Sequence, residues 1–141
     1  MNRKQIFLIA GGVLVVIILI IGVKWIFQPA SKSVQNKDAE FMFGASALVN
    51  EFITDEQMAN SLYLDKVIQV TGTVNNIVDD GSIIVVSLKD PESTSGVLCS
   101  FDKSSVLSSA DKLTMGSTIT VKGVCTGFLL DVVLTKCSIV E

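Results

Sequence analysis

A mainly β domain, closed into a barrel of five short strands and preceded by a single membrane-spanning helix, is the fold class that these 141 residues predict. Three observations carry the prediction. Ile6 to Val23 is an unbroken apolar run. From Lys66 to Val140, short segments alternate apolar and polar residues between turn signals, which is the period of half-buried strands. Between the third and fourth of these segments, residues 102–113 switch to helical spacing.

The apolar run, IFLIAGGVLVVIILIIGV, holds no charged or strongly polar side chain, and Trp25 and Phe27 follow it. It concentrates the excess behind a mean hydropathy of +0.57 and a hydrophobic content of 49%. At about 1.5 Å per residue it covers roughly 27 Å, close to the thickness of a bilayer's hydrocarbon, and the aromatics suit the headgroup level. A cleaved signal peptide is the alternative, since Arg3 and Lys4 supply a basic start. Against it, the run exceeds a usual signal core and no small-x-small site follows. No cysteine stands near its end to carry a lipid. A core helix apolar all round would need a second layer that so short a chain does not provide.

The expected organisation is a signal anchor over residues 1–27, a flexible Pro-, Ser-, Lys- and Asn-rich stalk over 28–40 and a folded domain over 41–141. Arg3 and Lys4 on one side nearly balance Lys24, Lys32 and Lys37 on the other. A short N-terminal tail is easily left inside. The expected placement is therefore a single pass through a bacterial cytoplasmic (inner) membrane, with the lipid bilayer contacting Ile6 to Val23 and the C-terminal domain outside. From Asp38 onward fourteen acidic residues face six lysines, a net charge of −8. Such a domain repels a phosphate backbone overall.

Within the domain, Leu48, Phe52, Met58, Ala59 and Leu62 fall at helix-compatible spacings. They predict helical segments over Ala45 to Phe52 and Asp55 to Ser61, the second capped by Thr54 with Gln57 in capping-box position. The first strand, Lys66 to Ile77, puts Ile68, Val70, Gly72 and Val74 on one face and Gln69, Thr71 and Thr73 on the other. Asp79-Asp80-Gly81 turns it into Ile83 to Leu88. Lys89 to Gly96 is a polar turn, and Val97, Cys99 and Phe101 share the inner face of strand three. Val106, Leu107, Ala110 and Leu113 make the helix, with Asp102 or Ser104 as its cap. Thr118 to Cys125 and Val132 to Val140 complete the set, bent at Gly127 to Asp131. Strand, strand, strand, helix, strand, strand is the order of a five-stranded Greek-key OB barrel, with the helix closing its bottom. Gly72 and Gly123 are the points where a side chain would crowd the neighbouring sheet.

Four stretches, NSLYLDKVIQVTG at Asn60 to Gly72, GVLCSF at Gly96 to Phe101, VKGVCTG at Val121 to Gly127 and DVVLTKCSIV at Asp131 to Val140, together resemble the tRNA-anticodon-binding-like OB-fold family. The resemblance spans roughly residues 45–141. It implies an OB fold in a small bacterial protein held outside the cytoplasm by an anchor or lipid. The nucleic acid in the family's name rests on fold analogy.

Candidate chemistry is sparse. With no histidine in the chain and no Gly-x-Ser-x-Gly or phosphate-loop motif, neither a catalytic residue nor a cofactor or metal site is expected. Asp79 and Asp80 read as turn formers rather than a carboxylate pair for catalysis or calcium. Cys99, Cys125 and Cys137 all sit on apolar strand faces and leave three readings open: buried core residues, a disulfide between Cys125 and Cys137 beside the closing hairpin, or a redox-active thiol. Hairpin register opposes that disulfide, since Cys125 would face a residue near 133. Strands two and three supply only the inward Phe101 as an aromatic, so a nucleic-acid surface lacks its stacking platform. Phe128, Leu129 and Leu130 form an apolar loop between strands four and five, beside the face OB barrels use for ligands. They are the candidate contact for a partner, unless the preceding helices cover them. The expected function is a non-catalytic binding module for a protein or small ligand, with a nucleic-acid-binding domain as the alternative.

Overall fold

The computed structural model describes Ile17 and residues 34–140, and the chain divides into two units at residues 30 and 31. The expected span, Ile6 to Val23, lies outside the described residues apart from Ile17. Among the described residues no helix is long and apolar enough to cross a membrane.

Six strands and three α-helices build the second unit: β1 (Phe41–Gly44), α1 (Ala45–Thr54), α2 (Glu56–Tyr63), β2 (Val67–Asp79), β3 (Ile83–Leu88), β4 (Val97–Asp102), α3 (Lys103–Val106), β5 (Thr118–Phe128) and β6 (Val132–Ile139). A 3-10 turn, Leu107–Lys112, prolongs α3. The strand order is β1-β2-β3-β4-β6-β5, and β2 closes the ring by pairing with β5. Besides pairing with β1, β2 is long enough to serve two neighbours within the barrel: Val67–Thr73 runs antiparallel to β5, and beyond it Val74–Asp79 runs antiparallel to β3. β4 and β6 are parallel over only three pairs, Val97 to Cys99 against Val132 to Leu134. This is the five-stranded OB barrel that the alternation predicts, with the residues expected to face inward, Ile68, Val70, Val97, Cys99 and Phe101, all at 0% exposure.

Both bend glycines are where the core demands the absence of a side chain. A Cβ on Gly72 would lie 2.9 Å from the Cβ of Ala45 and 3.1 Å from that of Leu88, so the missing atom lets α1 settle against β2. A Cβ on Gly123 would lie 2.6 Å from the Cys137 sulfur and 2.9 Å from the Cβ of Leu134.

The structure departs from the sequence reading in three places before the barrel. Phe41–Gly44, to which the sequence reading assigned no element, is a strand, parallel to β2 with Phe41 opposite Ile68. Its aromatics explain it: Phe41 and Phe43 meet the Tyr63 ring edge-on at 5.0 and 5.4 Å. The cap of α2 is Asp55, not Thr54, because the Asp55 carboxylate accepts the Met58 N–H at 2.9 Å. Finally, part of the segment expected as stalk rests on the domain. Val34–Asn36 forms a 3-10 turn, Val34 is buried, and the Lys122 ammonium donates to the carbonyls of Gln35 and Lys37 at 3.2 and 2.8 Å.

Candidate groove at the β5–β6 tip

The C-terminus of α2 is stitched to β5 by backbone alone. Leu64 caps the helix, its N–H donating to Asn60 O at 3.1 Å, and Asp65 then turns through a left-handed φ of 62°. There the Asp65 N–H donates to Cys125 O at 2.9 Å, while the Cys125 N–H donates to Lys66 O at 3.0 Å. Asn60 and Leu64, one turn apart, are thereby held beside Thr126 and Gly127. Gly127 has φ +122°, a conformation that side-chain-bearing residues rarely adopt. It lets β5 bulge and throws Phe128, Leu129 and Leu130 outward at the tip.

Asn60, Leu64, Thr126, Gly127, Phe128, Leu129 and Val133 line an open groove of ≈ 620 Å³. Its wall carries no charged side chain. The three residues singled out from sequence divide: Phe128 is half-buried, its ring stacked on Phe52 with centroids 5.7 Å apart and planes at 23°. Phe52 in turn touches Tyr63, so an aromatic chain ties the tip to α1, α2 and β1. Leu129 and Leu130 are 87% and 81% exposed. The helices thus cover the first residue of the tip and leave the next two bare.

The tip is fixed from the other side by the loop before β4. Asp131 accepts the Gly96 N–H at 2.6 Å, and Val132 N–H donates to Gly96 O at 3.0 Å. Val133, at the edge of the groove, also belongs to the outer face of the barrel. Val133 pairs with Leu98, Leu98 with Ser87 and Ser87 with Asn76, a row that crosses four strands and lies between buried neighbours on β6, β4 and β3. That face has no aromatic side chain on β3 or β4, since Phe101 points into the core.

Few lysines are left to meet a phosphate. Lys66 pairs with Glu40 at 3.0 Å and Lys103 with Asp79 at 2.6 Å, while Lys89 donates to Thr94 O at 2.9 Å. Lys122 holds the two N-terminal carbonyls described above. Asp79 and Asp80 are turn formers: their carboxylates accept the N–H groups of Gly81, Ser82 and Ile83. Lys103, and secondarily the Gly81 N–H, hold the Asp79 carboxyl below the usual range. Among the described residues, no three Cys, Asp or Glu side chains gather to hold a metal.

Of the three readings open for the cysteines, the structure shows the buried one: Cys99, Cys125 and Cys137 are all buried free thiols, with no bond between Cys125 and Cys137. Cys125 stands opposite Leu134. At Lys136, φ is 53°, and between the pairs Lys122–Ser138 and Val124–Thr135 the single Gly123 opposes both Lys136 and Cys137. This bulge shifts the phase of β6 and turns Cys137 into the core, where it is fully buried. Burial pushes the Cys125 thiol up despite the Gly127 N–H beside it, so its neutral form is favoured and it is a poor nucleophile.

Sequence reasoning located Phe128 and Leu129 but not Asn60, Leu64, Thr126 or Val133. Only the four-residue spacing of Asn60 and Leu64 marks a shared helix face, and nothing local says what that face meets.

The tRNA_anti-like family model matches residues 1–139. Among solved structures, the chain is similar to a lipoprotein from Klebsiella pneumoniae subsp. pneumoniae that is assigned to nucleic-acid binding. The TM-score is 0.59 at 20% identity, over 70% of this chain and 91% of that one. It is also similar to the yeast Stn1 and Ten1 structure, with a TM-score of 0.46 at 16% identity, over 77% and 66% of the two chains. At 20% identity the first of these likenesses bears on the fold alone, and the second carries no argument. The comparison with curated proteins finds no match.

Proposed function

The chain belongs to the tRNA_anti-like family, and from that premise we propose that it is a membrane-anchored, extracytoplasmic OB-fold module that binds a protein segment through the β5–β6 groove without catalysing a reaction. One observation carries the reading: two adjacent leucines, 87% and 81% exposed, stand at a groove with an uncharged wall. Contiguous exposed apolar surface of this kind costs solubility unless something covers it. The tip is also well held, by Gly96 from one side and Phe52 from the other, so little ordering entropy opposes binding.

The anchor rests on Ile6 to Val23, an uncharged run of bilayer length. Placement outside the cytoplasm rests on the short N-terminal tail and is tested by a topology reporter fused after Glu141. Activity of an export-dependent reporter is expected, and activity of a cytoplasm-dependent one would refute the placement.

The nucleic acid named for the Klebsiella lipoprotein is the competing ligand class. Here the engaged lysines, the net charge of −8 from Asp38 onward and the lack of an outward aromatic on β3 and β4 oppose it. The test places a photo-crosslinking amino acid at position 129 of the full chain in its membrane, with position 107, 65% exposed in the native chain, as control. A discrete protein adduct from 129 and none from 107 is expected. Adducts to lipid alone, or equal adducts from both positions, would sink the groove reading. Salt-sensitive binding of single-stranded oligonucleotides that Leu129→Ser leaves unchanged would move the ligand to nucleic acid.

A further inference from the structure

The chain enters its barrel unit through a short segment laid across the outside of the sheet. Val34–Asn36 is a 3-10 turn, closed by the Lys37 N–H donating to Val34 O at 2.9 Å. It packs on both β5 and β6. Little holds it there: Val34 is buried, Gln35, Asn36, Lys37 and Asp38 are exposed, and one flexible side chain, Lys122, donates to the Gln35 and Lys37 carbonyls. Beneath the turn, the outer face of the sheet pairs Lys122 on β5 with Ser138 on β6. Cys137 turns inward, so Ser138, the next residue, turns outward beside Lys122. An outward serine is ordinarily solvated, yet Ser138 is only 9% exposed and its Oγ has no hydrogen-bond partner. Among the described residues it is the one buried side-chain oxygen or nitrogen left unmet. The layer packed over this face is the Val34 turn, which therefore shuts the hydroxyl away from water.

We propose that Val34–Lys37 is a releasable strap and that Ser138 sets how readily it lifts. Docking buries one valine and gains two hydrogen bonds from Lys122, but it shuts in a hydroxyl that would otherwise bond to water. A buried, unmet hydroxyl disfavours the closed state by about tenfold or more. Lifting the strap rehydrates Ser138 and breaks no strand ladder. Among the described residues, the backbone of Val34–Lys37 bonds only within its own turn and to the Lys122 side chain. The first bond to a strand comes at Glu40, whose N–H donates to Val67 O at 2.8 Å just before β1 begins, so Glu40 is the inner limit of release. Tension on the chain ahead of Val34 meets the strap before it meets β1. Release withdraws two acceptors from Lys122 and bares its ammonium together with the Ser138 hydroxyl. The strap thus gates two adjacent donors on the outer face of β5 and β6.

Amide hydrogen exchange of the full chain in lipid nanodiscs, resolved to single residues by mass spectrometry with electron-transfer fragmentation, tests this. Lys37, whose N–H is bonded only within the strap, reports lifting, and the β2–β5 amides report opening of the barrel. In the native chain, exchange at Lys37 is expected to be slower than in the unfolded chain and faster than in β2–β5. Ser138→Ala removes the unmet hydroxyl and should slow Lys37 about tenfold relative to the β2–β5 amides. Lys122→Met keeps the aliphatic stem, removes both bonds and should speed Lys37 by about fivefold or more. Unchanged or faster exchange at Lys37 in Ser138→Ala would overturn the role of Ser138. Exchange at Lys37 only together with β2–β5 would make the strap part of the barrel, and exchange at the unfolded rate in the native chain would mean that it does not dock; either result overturns the proposal. Each readout is a ratio within one molecule, so a variant that destabilises the whole barrel does not mimic strap release.

Discussion

Replacing Gly123 by alanine tests how tightly the barrel is closed around Cys137. The new Cβ would stand 2.6 Å from the Cys137 sulfur, 2.9 Å from the Leu134 Cβ and 3.3 Å from the Thr135 carbonyl. Comfortable carbon contacts lie at about 3.5–4.0 Å, so the first two overlap by roughly 0.6–1 Å or more. Leu134 and Cys137 are both fully buried, and neither has solvent to move into. Overpacking of this kind costs about 1–3 kcal/mol, and the double overlap places Gly123→Ala in the upper half of that range. The cause is separable. Cys137→Ala removes the sulfur and leaves the Leu134 contact, so it should restore part of the loss, with a coupling of about 1–2 kcal/mol in a double-mutant cycle. Gly81→Ala supplies the contrast: its φ is +102° but nothing lies within 4 Å of a Cβ there, so it should destabilise through backbone strain and add independently to Cys137→Ala. Equilibrium urea unfolding under reducing conditions reads the native chain, the three single variants and the two doubles with Cys137→Ala. A Gly123→Ala cost below about 0.5 kcal/mol, or strict additivity with Cys137→Ala, would refute the packing argument.

Three further expectations concern the site and its supports. Leu129→Ser and Leu130→Ser should each shift stability by less than about 0.5 kcal/mol, because both side chains are solvated, and Leu130→Ser should abolish the adduct formed from the crosslinker at position 129; a large loss of stability would mean that the tip is structural. Asp55→Ala should cost about 1 kcal/mol through loss of the bond from Met58 N–H, and Thr54→Ala almost nothing, a difference that urea midpoints would show. Lys103→Met should bring the Asp79 carboxyl back up toward its ordinary 3.8, read by carboxyl-carbon NMR. Since the folded value is the depressed one, the stabilisation from Asp79 is present above the ordinary pKa and lost as pH falls through the lowered one. The variant should therefore lose acid dependence in that window, and an unmoved titration would show that the pair does not form in solution.

The barrel was legible because its strands are buried on one face only, so alternation in Ile68, Val70, Gly72 and Val74 records the inside directly. The glycines were legible for the same reason: an apolar strand without a side chain at a single position implies a close neighbour. β1 was not, since four residues, Phe-Met-Phe-Gly, hold their extended form only through the Tyr63 ring and a parallel partner more than 25 positions away. The inward turn of Cys137 was hidden by one backbone angle. No local motif in Thr135-Lys136-Cys137-Ser138 announces a left-handed lysine, and without it the alternation points Cys137 to the wrong side. The groove lay between these cases, with its tip readable as an apolar turn and its opposite wall dependent on where α2 docks.

The double service of β2 also sets an order on events that the finished barrel conceals. Its first half pairs with β5 residues 45 to 57 positions later in the chain, and β4 waits for β6, which ends at Ile139. Local hairpins such as β2–β3 can form early, whereas closure has to await the arrival of the final strands, a topology in which loop-closure entropy slows the reaction. Until then two strand edges stand unpaired at once, the condition under which chains add to one another. A growing chain therefore remains vulnerable until β6 emerges, and truncations within β6 should be cleared by proteases rather than persist as smaller barrels.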